Sequence, residues 1–133
     1  MNTEVLDLDT SDRRIVDLTS AVRDFCAAHR DGLCNVFVPH ATAGLAVIET
    51  GAGSDDDLIE TLERLLPRDD RYRHAHGSPG HGADHVLPGL VSPSVTVPVA
   101  GGEPLLGTWQ SIVLVDLNRD NPRRSVRLSF VSG

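Results

Sequence analysis

Alternation of apolar and polar residues predicts most of the secondary structure of this chain. Several short segments show it, and the pattern is typical of strands with one buried face. In chain order the predicted strands are TEVLDLDT, RRIVDLT, LCNVFVPH, AGLAVIET, SVTVPV, EPLLGTWQ, SIVLVDLN and SVRLSFV. A fold that is built largely from β-sheet follows.

Two longer segments have the apolar spacing of a helix instead. In SAVRDFCAAHR the apolar residues fall on one helical face, and the preceding Thr19 is the predicted N-cap. The second helix is predicted to begin at Ser54, which has capping-box spacing with Asp57, and to end at Pro67. The segment ADHVLPGLV is predicted to form a short helical turn.

The order of these elements predicts the fold class. It is ββα ββα followed by three or four strands, without repeats or low-complexity segments. Such an order favours an α+β fold on an antiparallel sheet. At 133 residues the chain is expected to form one domain, residues 1–133, with two main helices.

Composition and charge narrow the class of protein. The net charge is −7 and every basic residue is Arg, so no lysine is present to form a Schiff base. An acidic chain argues against binding to nucleic acid or to an anionic membrane surface. The N-terminal segment is unlike a signal peptide, and we expect a cytoplasmic protein. Cys26 and Cys34 have apolar neighbours and are expected to be buried free thiols.

Histidines are concentrated in one polar segment between the second helix and the later strands. Four of the six fall between His74 and His85. Imidazole is a common metal ligand and acid–base group, so the cluster indicates a divalent metal site or a proton-transfer site. None of the standard zinc spacings is present. The alternative is a solvated loop, which we favour for His76 and His81 because both adjoin glycines.

His40 and Glu49 are ionisable residues within or at the ends of apolar strands. Such groups are buried only when something pairs with them. His40 is either a satisfied core histidine or a site residue, and Glu49 is either a solvated strand-end acid or its orienting partner. Asp57 has the same two interpretations, as a helix cap or a site carboxylate.

The remaining candidates are an aromatic residue, an amide and several arginines. Trp109 and Gln110 are predicted to lie within a strand, where the indole N–H and the amide need partners. They belong either to the core or to the wall of a pocket. Arginines are the candidates for holding phosphate, since no glycine-rich phosphate loop is present, although surface solvation is the default for each. These arginines are Arg68, Arg71, Arg73, Arg123 and Arg124.

Taken together, these segments resemble the YjbQ-like family, which is described as secondary thiamine-phosphate synthases. The segments that match are FVPHATAG, the Glu of VIET, DDDLIETLERLLP, Tyr72-Arg-His74, the later His85, SVTVPV and LLGTWQSIVLVDL. The resemblance covers essentially the whole chain, and GTWQ is its most specific part. Departures from the family pattern are Ala41, Ile48, Ala75 and His81.

The resemblance implies a β-sandwich that assembles as a homotrimer, with a pocket near the subunit boundaries. It also implies the residues that line the pocket: His40, Thr42, Glu49, Asp57, His74, His85, Trp109 and Gln110. The implied reaction joins a pyrimidine diphosphate to a thiazole phosphate and releases pyrophosphate.

Two hypotheses follow. In the first, an enzyme binds a phosphorylated small molecule, with His40, His74 and His85 as ligands of a divalent metal (Zn or Mg) or as acid–base groups. Arg71 or Arg73 holds the phosphate in this hypothesis. In the second, the trimer binds a metal or a metabolite without turnover. A third interpretation, a solvated loop on a structural trimer, is less favoured.

Overall fold

Eight strands form two antiparallel sheets in the computed structural model, which describes residues 1–133. The strands are β1 (Asn2–Asp9), β2 (Ile15–Asp17), β3 (Gly32–Phe37), β4 (Gly44–Ile48), β5 (Ser94–Ala100), β6 (Glu103–Pro104), β7 (Ser111–Val115) and β8 (Arg123–Ser132). The helices are α1 (Thr19–Ala27), α2 (Ser54–Leu65) and α3 (His81–Val86), and α3 continues into a 3₁₀ turn, Leu87–Gly89. None of the helices has the length and apolar character that crossing a membrane requires.

The larger sheet has the strand order β1-β8-β3-β5-β6, and the smaller one has the order β2-β7-β4. In the larger sheet Cys34 of β3 lies between Phe130 of β8 and Val97 of β5. In the smaller sheet Leu45 of β4 is opposite Leu114 of β7. Because side chains alternate along a strand, these registers place apolar residues of neighbouring strands on the same face.

The main core lies where the two sheets and α1 meet. Val36, Leu128 and Phe130 from the larger sheet and Ile112 and Leu114 from the smaller sheet belong to one buried cluster. α1 contributes a third group to the same cluster, which consists of Val22, Phe25 and Cys26. Both cysteines are buried and free, as predicted, and burial raises the pKa of the Cys34 thiol to about 12.

A second core lies on the other face of the smaller sheet. Val113 and Val115 of β7 pack there with Ile59 and Leu62 of α2. Ala83 and Leu87, in α3 and the 3₁₀ turn, complete the layer. Both faces of the smaller sheet are therefore covered, and the second core fixes α3, which carries His81 and His85.

Three local predictions are wrong, and a tertiary contact explains the first of them. Thr19 is the first helical residue rather than the cap, because its hydroxyl accepts a hydrogen bond from the N–H of Ile112 (2.9 Å). The Ser54 helix begins where predicted, but it has no side-chain cap bond and Gly53 occupies the cap position. EPLLGTWQ is not a strand beyond Pro104, and residues 107–110 form a turn.

Candidate metal centre

Three imidazoles converge where the loop after α2 meets α3. One ring nitrogen from each of His74, His81 and His85 lies within 4.8 Å of the other two. The Nε2 atoms of His81 and His85 are 3.0 Å apart, and the rings of His74 and His85 stack with centroids 4.0 Å apart. His81 was expected to be solvated, but its side chain is only 14% exposed, so that prediction is wrong. His76 is exposed, as expected, and lies outside the group.

The local sequence explains how these rings meet. His81 and His85 are four residues apart in α3, and this spacing places them on one face of a helix. Gly82 lets the loop that carries His74 approach α3, because a Cβ at Gly82 would lie 2.7 Å from the carbonyl oxygen of His74. Gly82 is therefore needed for close packing of the loop against α3, and it does not indicate a solvated loop.

Replacing Gly82 with alanine should open this contact. The added Cβ would also lie 2.7 Å from the Cβ of Tyr72, and neither the backbone oxygen nor this Cβ can move cheaply. We expect a loss of about 1–3 kcal/mol in the free energy of unfolding, measured by urea denaturation. Gly89→Ala is the control, because nothing lies within 4 Å of a Cβ at Gly89. Equal stability of the two variants would contradict this account.

Polar side chains fix the orientation of His81. Nδ1 of His81 lies 2.7 Å from Oδ2 of Asp120, an arrangement that leaves Nε2 facing the other imidazoles. The backbone N–H of Ser78 donates a hydrogen bond to Oδ2 of Asp120 (3.1 Å), and contact with Ser78 lowers the pKa of Asp120, which keeps this carboxylate ionised. A carboxylate that binds the far nitrogen of a histidine is the usual support of a metal ligand.

A buried ion pair anchors α3 below the histidines. Asp84 is buried, and its carboxylate accepts two hydrogen bonds from the guanidinium of Arg68, one of them 3.1 Å long. Nδ2 of Asn118 donates to the same carboxylate at 2.9 Å and lies 3.3 Å from Nδ1 of His81. Arg68 is thus a structural residue, and the expectation that it is a solvated surface arginine is wrong.

The protonation state of His74 and His85 suits metal binding. Burial, and then repulsion from neighbouring histidines, lowers the pKa of both His74 and His85. Neutral imidazole is the form that binds metals. Nδ1 of His74 is buried without a hydrogen-bond partner, although buried polar atoms are almost always paired.

These residues fit a metal ion. Zinc–nitrogen bonds of about 2.0–2.1 Å place two ligands of a tetrahedral ion about 3.3 Å apart. The 3.0 Å between the Nε2 atoms of His81 and His85 lies close to that requirement, and a ring nitrogen of His74 lies within 4.8 Å of both rings' ligand atoms. An all-imidazole set favours zinc over magnesium, which prefers oxygen ligands.

His40 does not join this group within one chain. Its Nε2 accepts a hydrogen bond from the backbone N–H of Ser125 (3.0 Å), so the strand end at β8 holds the ring. Glu49, the predicted partner of His40, is exposed and makes no hydrogen bond with it. Within one chain the structure therefore brings together His74, His81 and His85, and not the predicted set of His40, His74 and His85.

The neutral form of His40 links stability to pH. Burial and then the charge of Arg124 lower the pKa of His40, and the pKa values of His74 and His85 are also lowered. With a chelator present to remove metal, the free energy of unfolding should be at its full value above the unfolded-state histidine pKa of about 6.5. It should fall as the pH decreases below that value, because the unfolded chain takes up protons first.

Urea denaturation of the metal-free protein between about pH 8 and about pH 5.5 checks this dependence. His40→Gln should flatten part of the slope, since the glutamine amide does not titrate. A stability that is constant, or that rises as the pH falls through this range, would contradict the assignment.

The other predicted site residues are dispersed within one chain. Thr42 is buried, and its hydroxyl accepts a hydrogen bond from Arg124 (2.8 Å). Asp57 is exposed in the first turn of α2. Arg71 is exposed, and Asp69 accepts two hydrogen bonds from its guanidinium at 2.8 and 2.7 Å. Arg73 is exposed.

Trp109 and Gln110 lie in the turn before β7. Trp109 is 73% exposed, so it forms neither core nor an enclosed pocket within one chain. Oε1 of Gln110 accepts a hydrogen bond from the N–H of Gly107 (2.8 Å), and this bond closes the turn.

A second polar cluster, which the sequence reasoning missed, lies between the sheets. Arg124 and Asp116 form an ion pair whose side chains are 1% and 0% exposed. Both oxygens of Asp116 accept from Arg124, at 2.6 and 2.9 Å. The solvated default for Arg124 is therefore wrong. The alternation along β8 was a usable signal, because Arg124 has the same parity as the buried Val126 and Leu128.

The fold and the site define a small α+β protein with a three-histidine candidate metal centre. A family model described as UPF0047 protein YjbQ-like matches residues 4–133, so the chain belongs to the YjbQ-like (UPF0047) family. A UPF0047 protein of Mycobacterium tuberculosis is 82% identical over 133 residues, 100% of each chain. One from Archaeoglobus fulgidus is 36% identical over 122 residues, 91% of this chain and 95% of its own.

Solved structures confirm the predicted single-domain α+β fold. A hypothetical protein from Aeropyrum pernix K1 superposes with a TM-score of 0.88 at 29% identity over 100% of both chains. A protein of unknown function from Sulfolobus solfataricus P2 has a TM-score of 0.90 at 21% identity, over 99% of this chain and 97% of its own. The second comparison bears on the fold alone.

Proposed function

We propose that this protein is a metal-dependent enzyme that acts on a phosphorylated small molecule. The observation that carries the proposal is the convergence of His74, His81 and His85 beside the buried, unpaired Nδ1 of His74. Three protein ligands leave one position of a tetrahedral zinc ion open, which is the arrangement of catalytic sites. When bound, the metal would act as a Lewis acid toward a phosphate oxygen.

The reaction that we propose for testing joins a pyrimidine diphosphate to a thiazole phosphate. The bond between the pyrimidine methylene carbon and the diphosphate oxygen breaks, and the thiazole nitrogen donates its electron pair to that carbon. Pyrophosphate leaves with the electrons of the broken bond, so no protein nucleophile is needed. The task of the protein is to position the two substrates and to stabilise the leaving charge.

Individual residues contribute to that task unequally. Arg73 has no hydrogen-bond partner in the chain, whereas Asp69 already occupies the guanidinium of Arg71, so Arg73 is the better phosphate ligand of the two. Glu49 and Asp57 are exposed carboxylates, and we retain them as candidates for contact with a substrate or a second subunit.

We also propose that the active form is a homotrimer. The cleft beside the histidines measures only about 130 Å³, whereas small-molecule pockets span about 300–1,000 Å³. Trp109, at 73% exposure, is a large aromatic side chain without cover in one chain. A neighbouring subunit would supply the missing walls and cover this residue. Light scattering after size exclusion should give three times the chain mass of 14.3 kDa, and a monomer would contradict the proposal.

The second candidate function is metal binding without turnover. The small cleft favours it, because neither of two phosphorylated rings would be enclosed there within one chain. The same three histidines would hold the ion, and no substrate contacts would be required.

Metal analysis and a thiamine-phosphate assay on wild type and His85→Ala separate the candidates. Turnover that the substitution abolishes supports the enzyme. One bound metal per chain without turnover supports the binder. Absence of both metal and turnover from wild type, together with a His85→Ala variant that is as stable as wild type, contradicts both candidates.

A further inference from the structure

A second cleft lies on the other side of Asn118 from the histidines. It has a volume of about 290 Å³ and opens between residues 10–14 and residues 116–122. Leu117 is its one hydrophobic lining residue. Asn118 lines this cleft and also bonds Asp84 below the histidines, so the two sites share a wall.

The charge of this cleft is opposite to that of the whole chain. Arg13, Arg14 and Arg119 line it, although the chain carries a net charge of −7. Its two acids are Asp12 and Asp116, and Arg124 neutralises Asp116. Outside the cleft, Glu63 pairs with Arg14 at 3.0 Å. Among the residues that line the cleft, Arg13 and Arg119 are therefore offset by Asp12 alone, and the lining has a positive excess. Outside the lining, Asp9 interacts with Arg13 and Arg123, and Arg13 also borders a neighbouring cleft that contains Asp55, Asp56 and Glu60.

The walls of the cleft are tied together before any ligand arrives. Oδ2 of Asp116 accepts a hydrogen bond from the hydroxyl of Thr10 (2.7 Å), and Oδ1 accepts one from the N–H of Asn118 (3.0 Å). The N–H of Thr10 also donates to the carbonyl of Pro122 at 2.8 Å. One buried carboxylate thus holds both loops, and a preformed site does not have to be ordered on binding.

We propose that this cleft binds the phosphate group of a small phosphorylated molecule. Guanidinium groups match phosphate oxygens in geometry and charge. The volume is at the lower end of the range for small-molecule pockets, which suits a phosphate or diphosphate head group rather than a whole nucleotide. The site is separate from the metal centre and does not require an ion there.

To test this site, inorganic pyrophosphate is titrated into metal-depleted wild-type protein in a calorimeter. The test variant is Arg13→Gln/Arg119→Gln, and Arg23→Gln/Arg30→Gln is a control that removes the same charge from exposed positions elsewhere. We expect the dissociation constant to rise about tenfold or more in the test variant. In the control it should change by less than about twofold.

The proposal would be overturned by absence of binding, by an equal loss in both double variants, or by no loss in the test variant. His85→Ala should bind pyrophosphate as tightly as wild type, and a loss there would place the anion at the histidines instead. Metal content is measured on the same samples. If wild type binds no metal, and only the test variant loses affinity for pyrophosphate, the proposal for this cleft stands and the metal centre is disproved.

Discussion

Replacing Arg124 with alanine is expected to lower the free energy of unfolding by about 3–5 kcal/mol. The substitution leaves the carboxylate of Asp116 buried, at 0% exposure, without its charge partner. The hydroxyl of Thr42 also loses the guanidinium that donates to it. Urea denaturation at neutral pH measures the difference.

The neighbouring arginine provides the control for this experiment. Arg123 is exposed in the same strand, and its replacement by alanine should change stability by no more than about 0.5 kcal/mol. If Arg124→Ala were as stable as Arg123→Ala, the buried pair would not contribute as the structure indicates.

Replacing His81 with alanine is expected to remove nearly all bound metal. Wild type, loaded with zinc and dialysed, should retain about one ion per chain in a tetrahedral nitrogen site. His81→Ala loses a ligand and leaves only two imidazoles of the group. Asp120→Asn should weaken binding by a smaller factor, about 10–100-fold, because it disturbs the ligand through its far nitrogen.

His76→Ala is the matched control for the metal experiment. Its ring lies 4.0 Å from that of His74, but the side chain is exposed and does not belong to the converging group. This variant should keep its metal. Loss of zinc from His76→Ala as complete as from His81→Ala would show that the loop binds metal without the geometry described.

Much of the fold could be predicted from the sequence, because the alternation of apolar and polar residues follows directly from which side chains are buried. β5, β7 and β8 fall within or around SVTVPV, SIVLVDLN and SVRLSFV, since one face of β5 and β8 and both faces of β7 pack into a core. The helix caps were not accessible in this way. Thr19 has the chemistry of a cap, but its hydroxyl is used by a strand 93 residues away. No local pattern contains that partner.

The candidate site shows the same division. The spacing of His81 and His85 was visible, yet the adjoining glycines suggested a solvated loop. In the structure those glycines allow close approach, of Gly82 to His74 and of Gly80 to Arg68. Asp120 and Asn118 belong to a loop far along the chain, so sequence spacing could not assign them to the centre.

We propose that His74, His81 and His85 together hold one metal ion. Anomalous diffraction at the zinc edge, from a crystal grown with about one equivalent of zinc, tests it most directly. We predict a single strong peak among the three rings, about 2.0–2.1 Å from one nitrogen of each. A crystal with no peak at that position, or with its zinc at His40 or at the cysteines, would contradict the claim.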